Sequence, residues 1–361
     1  MNEPICQFIT FYLPTHYVEA KYLGGGTYGH VCQAIDTFRP SESNRVAIKK
    51  MRDPFGTGER AKRAYRELHL LSIFKHDNII GLLDVYTNAS SPEDMESFYL
   101  VTSYGGDSLE KWIREGVLTE SQQQEIVYQI LRGLKYIHSG GFIHRDLKPG
   151  NLTLTPEFEL KILDFGLARK VCTDRAPEVI CWKGVYDLKA DLWSVGCILG
   201  EMLKGHILFK GDKDDGLGLS QFQKIVELCG SPDAALLEKI EKGCSLTTRE
   251  MIEQCQNYPR KDFKDEFPSA SATAVDFLEK ILVLDPDRRL SLEEALEHPY
   301  LNRPGMSYHI EADEPKMDDS TELNDQDCFQ WDLKGWKKKI WNEIEVFQQG
   351  QLNKSRRGSS E

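Results

Sequence analysis

The sequence predicts an α+β fold of two lobes, a small β-rich lobe with one helix followed by a large α-rich lobe. Three observations lead there. Up to residue 104 the apolar runs have strand length, and one helical stretch interrupts them. From about residue 108 apolar residues recur at helical spacing. Between these regimes, in the run Thr102–Gly106 (TSYGG), Gly105 and Gly106 supply a joint.

The elements follow in order. Residues 17–36 (YVEAKYLGGGTYGHVCQAID) read as strand, glycine turn, strand, and residues 45–51 (RVAIKKM) as a short β-branched strand. In residues 58–74, Ala64, Leu68 and Leu71, with Leu70 and Phe74, have helical spacing. The runs 78–86 (NIIGLLDVY) and 97–104 (SFYLVTSY) are strand-like. In residues 121–140, Ile126, Ile130, Leu134 and Ile137 share one helix face, and Gly140–Gly141 stop it. Residues 189–205 (KADLWSVGCILGEMLKG) are apolar nearly all round, which predicts a buried helix. The final QQGQLNKSRRGSSE is polar, and disorder is expected there.

Composition bounds the function. The 361 residues suit one large domain or two lobes, and 40% are hydrophobic, enough for a real core. No apolar run is long enough for a membrane span, and no signal peptide is read at the N-terminus. Nine scattered cysteines without a CxxC pair argue for a reducing compartment and against a zinc site. A net charge of −12 disfavours sequence-independent nucleic-acid binding. The acid is concentrated in residues 311–327, which hold eight Asp or Glu and one Lys. That stretch reads either as a solvated linker or as a docking surface for basic partners.

The motifs carry chemistry. Gly24, Gly26 and Gly29 form GxGxxG, followed by Val31. A hairpin turn and a phosphate cradle both fit this pattern, since glycine lets backbone N–H groups approach phosphate oxygens. Lys49 ends the strand VAIK, and Glu67 lies in the following helix. Such a pair is either a surface salt bridge or an anchor for nucleotide phosphates. The run HRDLKPGN decides between them, placing His144, Arg145, Asp146, Lys148 and Asn151 in one predicted loop. A carboxylate can accept a hydroxyl proton, an ammonium can offset phosphate charge, and an amide oxygen can ligate a hard cation. Asp164 of DFG follows the strand-like LKIL and offers a second metal-binding carboxylate. Phosphoryl transfer depends on this positioning and charge stabilisation.

The ordered set GxGxxG, VAIK, helix Glu67, HRDLKPGN, DFG, APE and DLWSVG, across residues 23–200, resembles the eukaryotic protein kinases. The resemblance implies the bilobal protein kinase fold, ATP as substrate and Mg²⁺ as cofactor. Asp146 would be the catalytic base, with Lys148 beside the transferring phosphate and Asn151 and Asp164 holding the metal. ATP would contact the run Leu23, Gly24, Gly25, Gly26, Thr27, Tyr28, Gly29, His30 and Val31, together with Ala47 and Lys49. Lys49 would be held by Glu67. Thr102 would be the gatekeeper, and Ser103 and Tyr104 part of the hinge. The Lys of HRDLKP implies Ser/Thr specificity. Leu71, Leu82, His144 and Phe165 would stack as a spine, and Glu178 would pair with Arg289.

Within that superfamily, YRELHLL, HDNIIGLLDVYT, YQILRGLKYIHS, WSVGCIL and LLEKILVLDPDRRL resemble the mitogen-activated protein kinases, nearest the stress-activated branch. The resemblance divides the chain into an N-terminal extension (1–16), a small lobe (17–104), a large lobe (105–301) with a family insert at about 206–268, a wrap-back extension (302–348) and a disordered tail (349–361). Trp336, Ile340, Ile344 and Phe347 have the helical spacing a docked helix needs. It also implies a monomer that docks basic peptides of substrates and upstream kinases through Glu311, Asp313 and Glu314, in the cytoplasm with nuclear exchange. No nucleic acid and no membrane partner are expected.

Two departures matter. Ile310 and Ala312 stand where the docking motif carries acids. Between DFG and APE lie only residues 167–175, roughly ten fewer than family loops have. Tyrosine is missing from them, and Thr173 is their only hydroxyl. Three readings stand: an active Ser/Thr kinase with Pro-directed preference, an ATP-binding kinase-fold scaffold with impaired transfer, and a chain lacking loop residues its parent has.

Overall fold

The structure, a computed structural model, describes residues 4–6, 9–170, 188–212, 219–241, 252, 254–255, 257–302, 315–317 and 331–357. It divides into two compact units: residues 1–106, 163–168 and 320–361, and residues 107–162 and 169–319.

The first unit is built on an antiparallel sheet. A small hairpin of β1 (Pro4–Cys6) and β2 (Ile9–Thr10) precedes it. The sheet comprises β3 (Tyr17–Gly25), β4 (Gly29–Asp36), β5 (Arg45–Met51), β6 (Leu82–Tyr86) and β7 (Tyr99–Ser103), in the order β3-β4-β5-β7-β6. Period-2 alternation sorts its faces. Cys32, Ala34, Val46, Ile48, Tyr99 and Val101 bury one face under Phe11. The intervening residues, Val31, Ala47, Lys49, Leu100 and Thr102, occupy the other face and pair in register as Val31↔Lys49, Lys49↔Leu100 and Ala47↔Thr102.

Helix α1 (Gly58–Ile73) starts where the Thr57 side chain accepts from the Arg60 amide. Ala64, Leu68, Leu70 and Leu71 are buried, as is Phe74 just beyond its end. A C-terminal helix (Leu333–Arg357) packs on α1, burying Trp336, Ile340 and Ile344 and half-burying Phe347. Trp336 meets Tyr65 at 5.7 Å between ring centroids, and His69 Nδ1 lies 2.9 Å from a Glu343 carboxylate oxygen. The helix continues to Arg357, so the described part of the stretch expected to be disordered from 349 is helical. Its residues, Gln, Leu, Lys and Arg among them, are good helix formers, and Gln348 Nε2 ties the helix to the Val85 carbonyl at 2.9 Å.

In the second unit, β8 (Asp107–Ser108) leads into α2 (Leu109–Glu115) and the long α3 (Glu120–Ser139). A capping box between Thr119 and Gln122 opens α3, and its four patterned apolar residues are fully buried. Strands β9 (Phe142–Ile143), β10 (Leu152–Leu154), β11 (Leu160–Ile162) and β12 (Arg169–Lys170) follow, forming a β11-β10-β8 sheet and a β12-β9 pair. The nearly all-apolar α4 (Lys189–Lys204) packs against α3 and ends at Gly205, whose φ of 75° is the left-handed cap glycine adopts without a Cβ clash. Helices α5 (Leu219–Cys229) and α6 (Ala234–Glu241) lie in the insert stretch, and α7 (Phe263–Glu266), α8 (Ala272–Ile281) and α9 (Leu292–Leu296) complete the described helices.

Two groupings differ from the sequence reading. Residues 163–168 were counted with the large lobe but cluster with the first unit, where Phe165 is fully buried edge-on to Phe74, 4.9 Å away. Residues 315–317, within the expected wrap-back extension, cluster with the second unit, where the Met317 amide donates to Ser139 Oγ at 3.1 Å.

Candidate active site

Each unit carries its own group of candidate residues. In the first, β3 and β4 close through a tight turn in which the Gly26 amide donates to the Gly29 carbonyl at 2.9 Å. A Cβ on Gly24 or Gly26 would meet nothing within 4 Å, so the protein itself leaves this space open. Gly29 is different, because a Cβ there would come 2.8 Å from the Lys50 carbonyl oxygen. The same pleat sets the direction of the His30 side chain. Gly25 and His30 pair with each other on the face opposite Val31 and Lys49, and the His30 ring bonds the Tyr22 hydroxyl at 3.2 Å. The His30 side chain therefore does not join the Lys49 group.

Lys49 Nζ forms a hydrogen-bonded ion pair with Glu67 Oε1, with Glu67 buried and Lys49 partly buried. Burial penalises both charges. For Lys49, the carboxylates of Glu67 and Asp164 more than offset that penalty and hold its pKa above the ordinary lysine value. Burial pushes Glu67 up, opposed by Lys49 and reinforced by the like charge of Asp164. Lys49 so held presents its ammonium on the sheet face that carries Ala47 and Thr102. At the strand end, Thr102 Oγ1 approaches the Ala47 carbonyl at 3.5 Å, and the Tyr104 amide donates to the Arg45 carbonyl at 3.1 Å.

Asp164 adopts φ 57°, a left-handed conformation that costs a non-glycine residue about 1 kcal/mol or more. The Gly166 amide donates to its Oδ1 at 3.2 Å, and Arg66 Nη1 donates to the Gly166 carbonyl at 3.0 Å. Arg63, which the sequence reading passed over, directs Nη2 to both Asp164 oxygens at 3.3 Å. Its guanidinium also lies 3.2 Å from the Tyr28 ring centroid, so one buried cation ties the glycine turn to Asp164.

In the second unit, Lys148 Nζ donates to Asp146 Oδ2 at 2.8 Å and Oδ1 at 3.1 Å. Asn151 Nδ2 donates to the Asp146 carbonyl at 2.8 Å and to Oδ2 at 2.9 Å, which leaves the amide oxygen as its remaining ligating atom. The loop holding them is strained, with Arg145 at φ 68°. Asp191 of α4 secures it, accepting from the His144 and Arg145 amides at 2.9 Å each and facing His138 Nε2 at 2.8 Å. Burial alone would raise the Asp191 pKa. The hydrogen bond and charge of His138, with His144 and the Arg145 amide, hold it below the ordinary range. The motif DLWSVG contained this residue, but nothing in its spacing gave it a partner 46 residues upstream.

Leu71, Leu82, His144 and Phe165 are each buried. The acids Glu311, Asp313 and Glu314, the loop residues Cys172 and Thr173, and Glu178 with its expected partnership to Arg289 lie outside the described residues.

The protein kinase domain family matches residues 17–301. The chain belongs to the protein kinase family. It is 42% identical to mitogen-activated protein kinase pmk-3 of Caenorhabditis elegans, covering 93% of this chain and 74% of that protein. Against mitogen-activated protein kinase 12 of Mus musculus it is 42% identical, covering 92% and 89%. Against mitogen-activated protein kinase 13 of Homo sapiens it is 43% identical, covering 96% and 93%. Within the family it is thus a mitogen-activated protein kinase of the stress branch, a serine/threonine kinase of the bilobal α+β fold that uses ATP and a divalent metal.

Proposed function

We propose that the chain transfers the γ-phosphate of ATP, with Mg²⁺ as the metal, to Ser or Thr next to Pro in protein substrates of stress signalling. The observation that carries this is the Asp146 cluster, a carboxylate held by Lys148 and Asn151 in a loop anchored by Asp191. Asp146 accepts the substrate hydroxyl proton, and Lys148 sets its charge beside the transferring group. Lys49, fixed by Glu67, holds the α- and β-phosphates, and the backbone from Leu23 to Val31 covers them. Ala47, Thr102, Ser103 and Tyr104 border the adenine.

The donor set suits magnesium: carboxylate oxygens of Asp164 and the amide oxygen of Asn151 are hard ligands. The chemistry a bound magnesium ion supplies is neutralisation of phosphate oxygen charge. Substrates and upstream kinases bind through basic peptides at Glu311, Asp313 and Glu314. The protein works as a monomer in the cytoplasm and exchanges with the nucleus. Among the described residues no helix is long and apolar enough to cross a membrane.

A second reading, an ATP-binding scaffold with little transfer, is favoured by Arg63 on Asp164 and by the nine residues 167–175 between DFG and APE. Transfer of labelled phosphate from ATP to a generic basic protein separates the two. Under the first reading incorporation occurs and falls by about 10²-fold or more in Asp146→Asn, the scale of a lost general base. Equal incorporation by wild type and variant, or none by either, rejects it.

A further inference from the structure

The first unit carries a cavity of about 1030 Å³ between β2, the end of β5, the loop before β7 and the start of the C-terminal helix. It is lined by none of the residues that hold nucleotide or metal in the reading above, except through the outward ring of His30. Four of its lining residues are cations, Lys50, Arg52, Lys334 and Lys337. The lining acids are Glu93, Glu96 and Asp53, and Asp53 is already ion-paired with Arg60. Lys50 donates to the Thr10 carbonyl at 2.7 Å and feels the charge of Glu96, and Lys337 donates to the Glu93 carbonyl at 2.8 Å, which leaves Arg52 and Lys334 as the exposed cations of the lining. Burial, then the charges of Arg52 and Lys50, hold His30 below its ordinary pKa, the response expected where positive potential accumulates.

This concentration stands on a chain of net charge −12. Beside the cations lie apolar surfaces: Tyr12 and Leu333 are each 41% exposed, and Pro92 and Phe55 line the same space. An exposed apolar surface rimmed by charge marks a binding site more often than an isolated exposed side chain does. The volume is at the upper end for a small-molecule pocket and suits several side chains of a peptide.

We propose that this cavity is a second docking site, taking a segment of a partner protein in which acidic side chains alternate with bulky apolar ones. Its charge preference is opposite to that of the acidic stretch around Glu311–Glu314. The carboxylates meet Arg52, Lys334 and Lys50, and the apolar side chains lie on Tyr12, Phe55 and Leu333. A mostly acidic protein repels such a segment elsewhere, so the field steers it to this patch.

The test is fluorescence anisotropy with a fluorescein-labelled peptide Glu-Leu-Asp-Phe-Glu-Met-Asp and a copy carrying Lys at every acidic position. The full chain binds the acidic peptide and not the basic copy, and rising salt weakens binding. The double variant Arg52→Glu/Lys334→Glu, two exposed side chains, weakens it about 10-fold or more, and Leu333→Ser several-fold. Melting shifts with ATP and Mg²⁺ remain those of wild type, which shows the variants are folded. Unchanged affinity in the double variant overturns the proposal. So does binding of phosphatidylserine vesicles, but not peptide, at these residues, which makes the patch a lipid surface. Peptide binding seen only after residues 318–327 are replaced by Gly and Ser also overturns it, since the chain's own acidic stretch is then the occupant.

Discussion

Gly26 and Gly29 belong to one motif but answer to different constraints. A methyl group on Gly26 enters open space, and its backbone lies outside the left-handed region, so the free protein tolerates it. Gly26→Ala should leave the melting temperature of the free protein nearly unchanged and weaken ATP about 10-fold by crowding the phosphates. Gly29→Ala forces a Cβ against the Lys50 carbonyl and should cost about 1–3 kcal/mol of stability before any ligand is added. Calorimetry with and without ATP separates the two effects. Equal destabilisation by both substitutions would contradict this division. Asp191 makes a pH prediction. Its folded pKa lies below its unfolded one, so its contribution is complete above about pH 4 and is lost as pH falls further, through the folded value. Asp191→Asn should therefore destabilise strongly at neutral pH, with the difference from wild type shrinking below about pH 4 in urea titrations. A difference constant across that range would show that ionisation of Asp191 is not what stabilises the loop.

Elements couple these residues to the fold, and they show what local pattern can reveal. RVAIKKM was legible as a short strand, and in β5 the period-2 alternation sets Lys49 opposite Val46 and Ile48. The same period-2 logic, applied across GHVCQAID, turns His30 away from Lys49, which a motif read as one block conceals. Arg63 on Asp164 was not legible, because the pair is 101 residues apart and arises from tertiary packing. The C-terminal helix was legible through Trp336, Ile340 and Ile344, but not its end, since Gly350 in a polar run reads as a stop and the helix runs through it to Arg357. Because this helix packs on α1, which carries Glu67, it supports the site from behind. Trp336→Ala should cost about 3–5 kcal/mol, the usual loss for a buried large aromatic. Amide exchange over residues 58–73 should accelerate and ATP affinity should fall with it. Exchange confined to residues 333–357 would show that α1 stands without the helix.

At the scale of the whole molecule, the 17–301 domain match places the chain in the protein kinase family, while the interval between Gly166 and Ala176 is short. In the proposed reading, nucleotide and substrate draw on different parts of the chain: the pair Lys49–Glu67, which would anchor the phosphates, lies wholly in the first unit, and Asp146, which would take the substrate hydroxyl proton, lies in the second. A ligand that binds only the folded state stabilises it by about 2.7 kcal/mol at one hundred times its Kd. ATP with Mg²⁺ should therefore raise the melting temperature of wild type and of Asp146→Asn alike, while Lys49→Met should lose most of the shift. Removing the metal with a chelator should reduce the shift in all three, because phosphate charge then faces Asp164 without its counterion. The shortened interval bears on the peptide instead, so kinetic assays should show a high KM for peptide beside an ordinary KM for ATP. A normal peptide KM would mean that residues 167–175 suffice to present the substrate, and absence of any thermal shift would remove nucleotide binding from both readings of this chain.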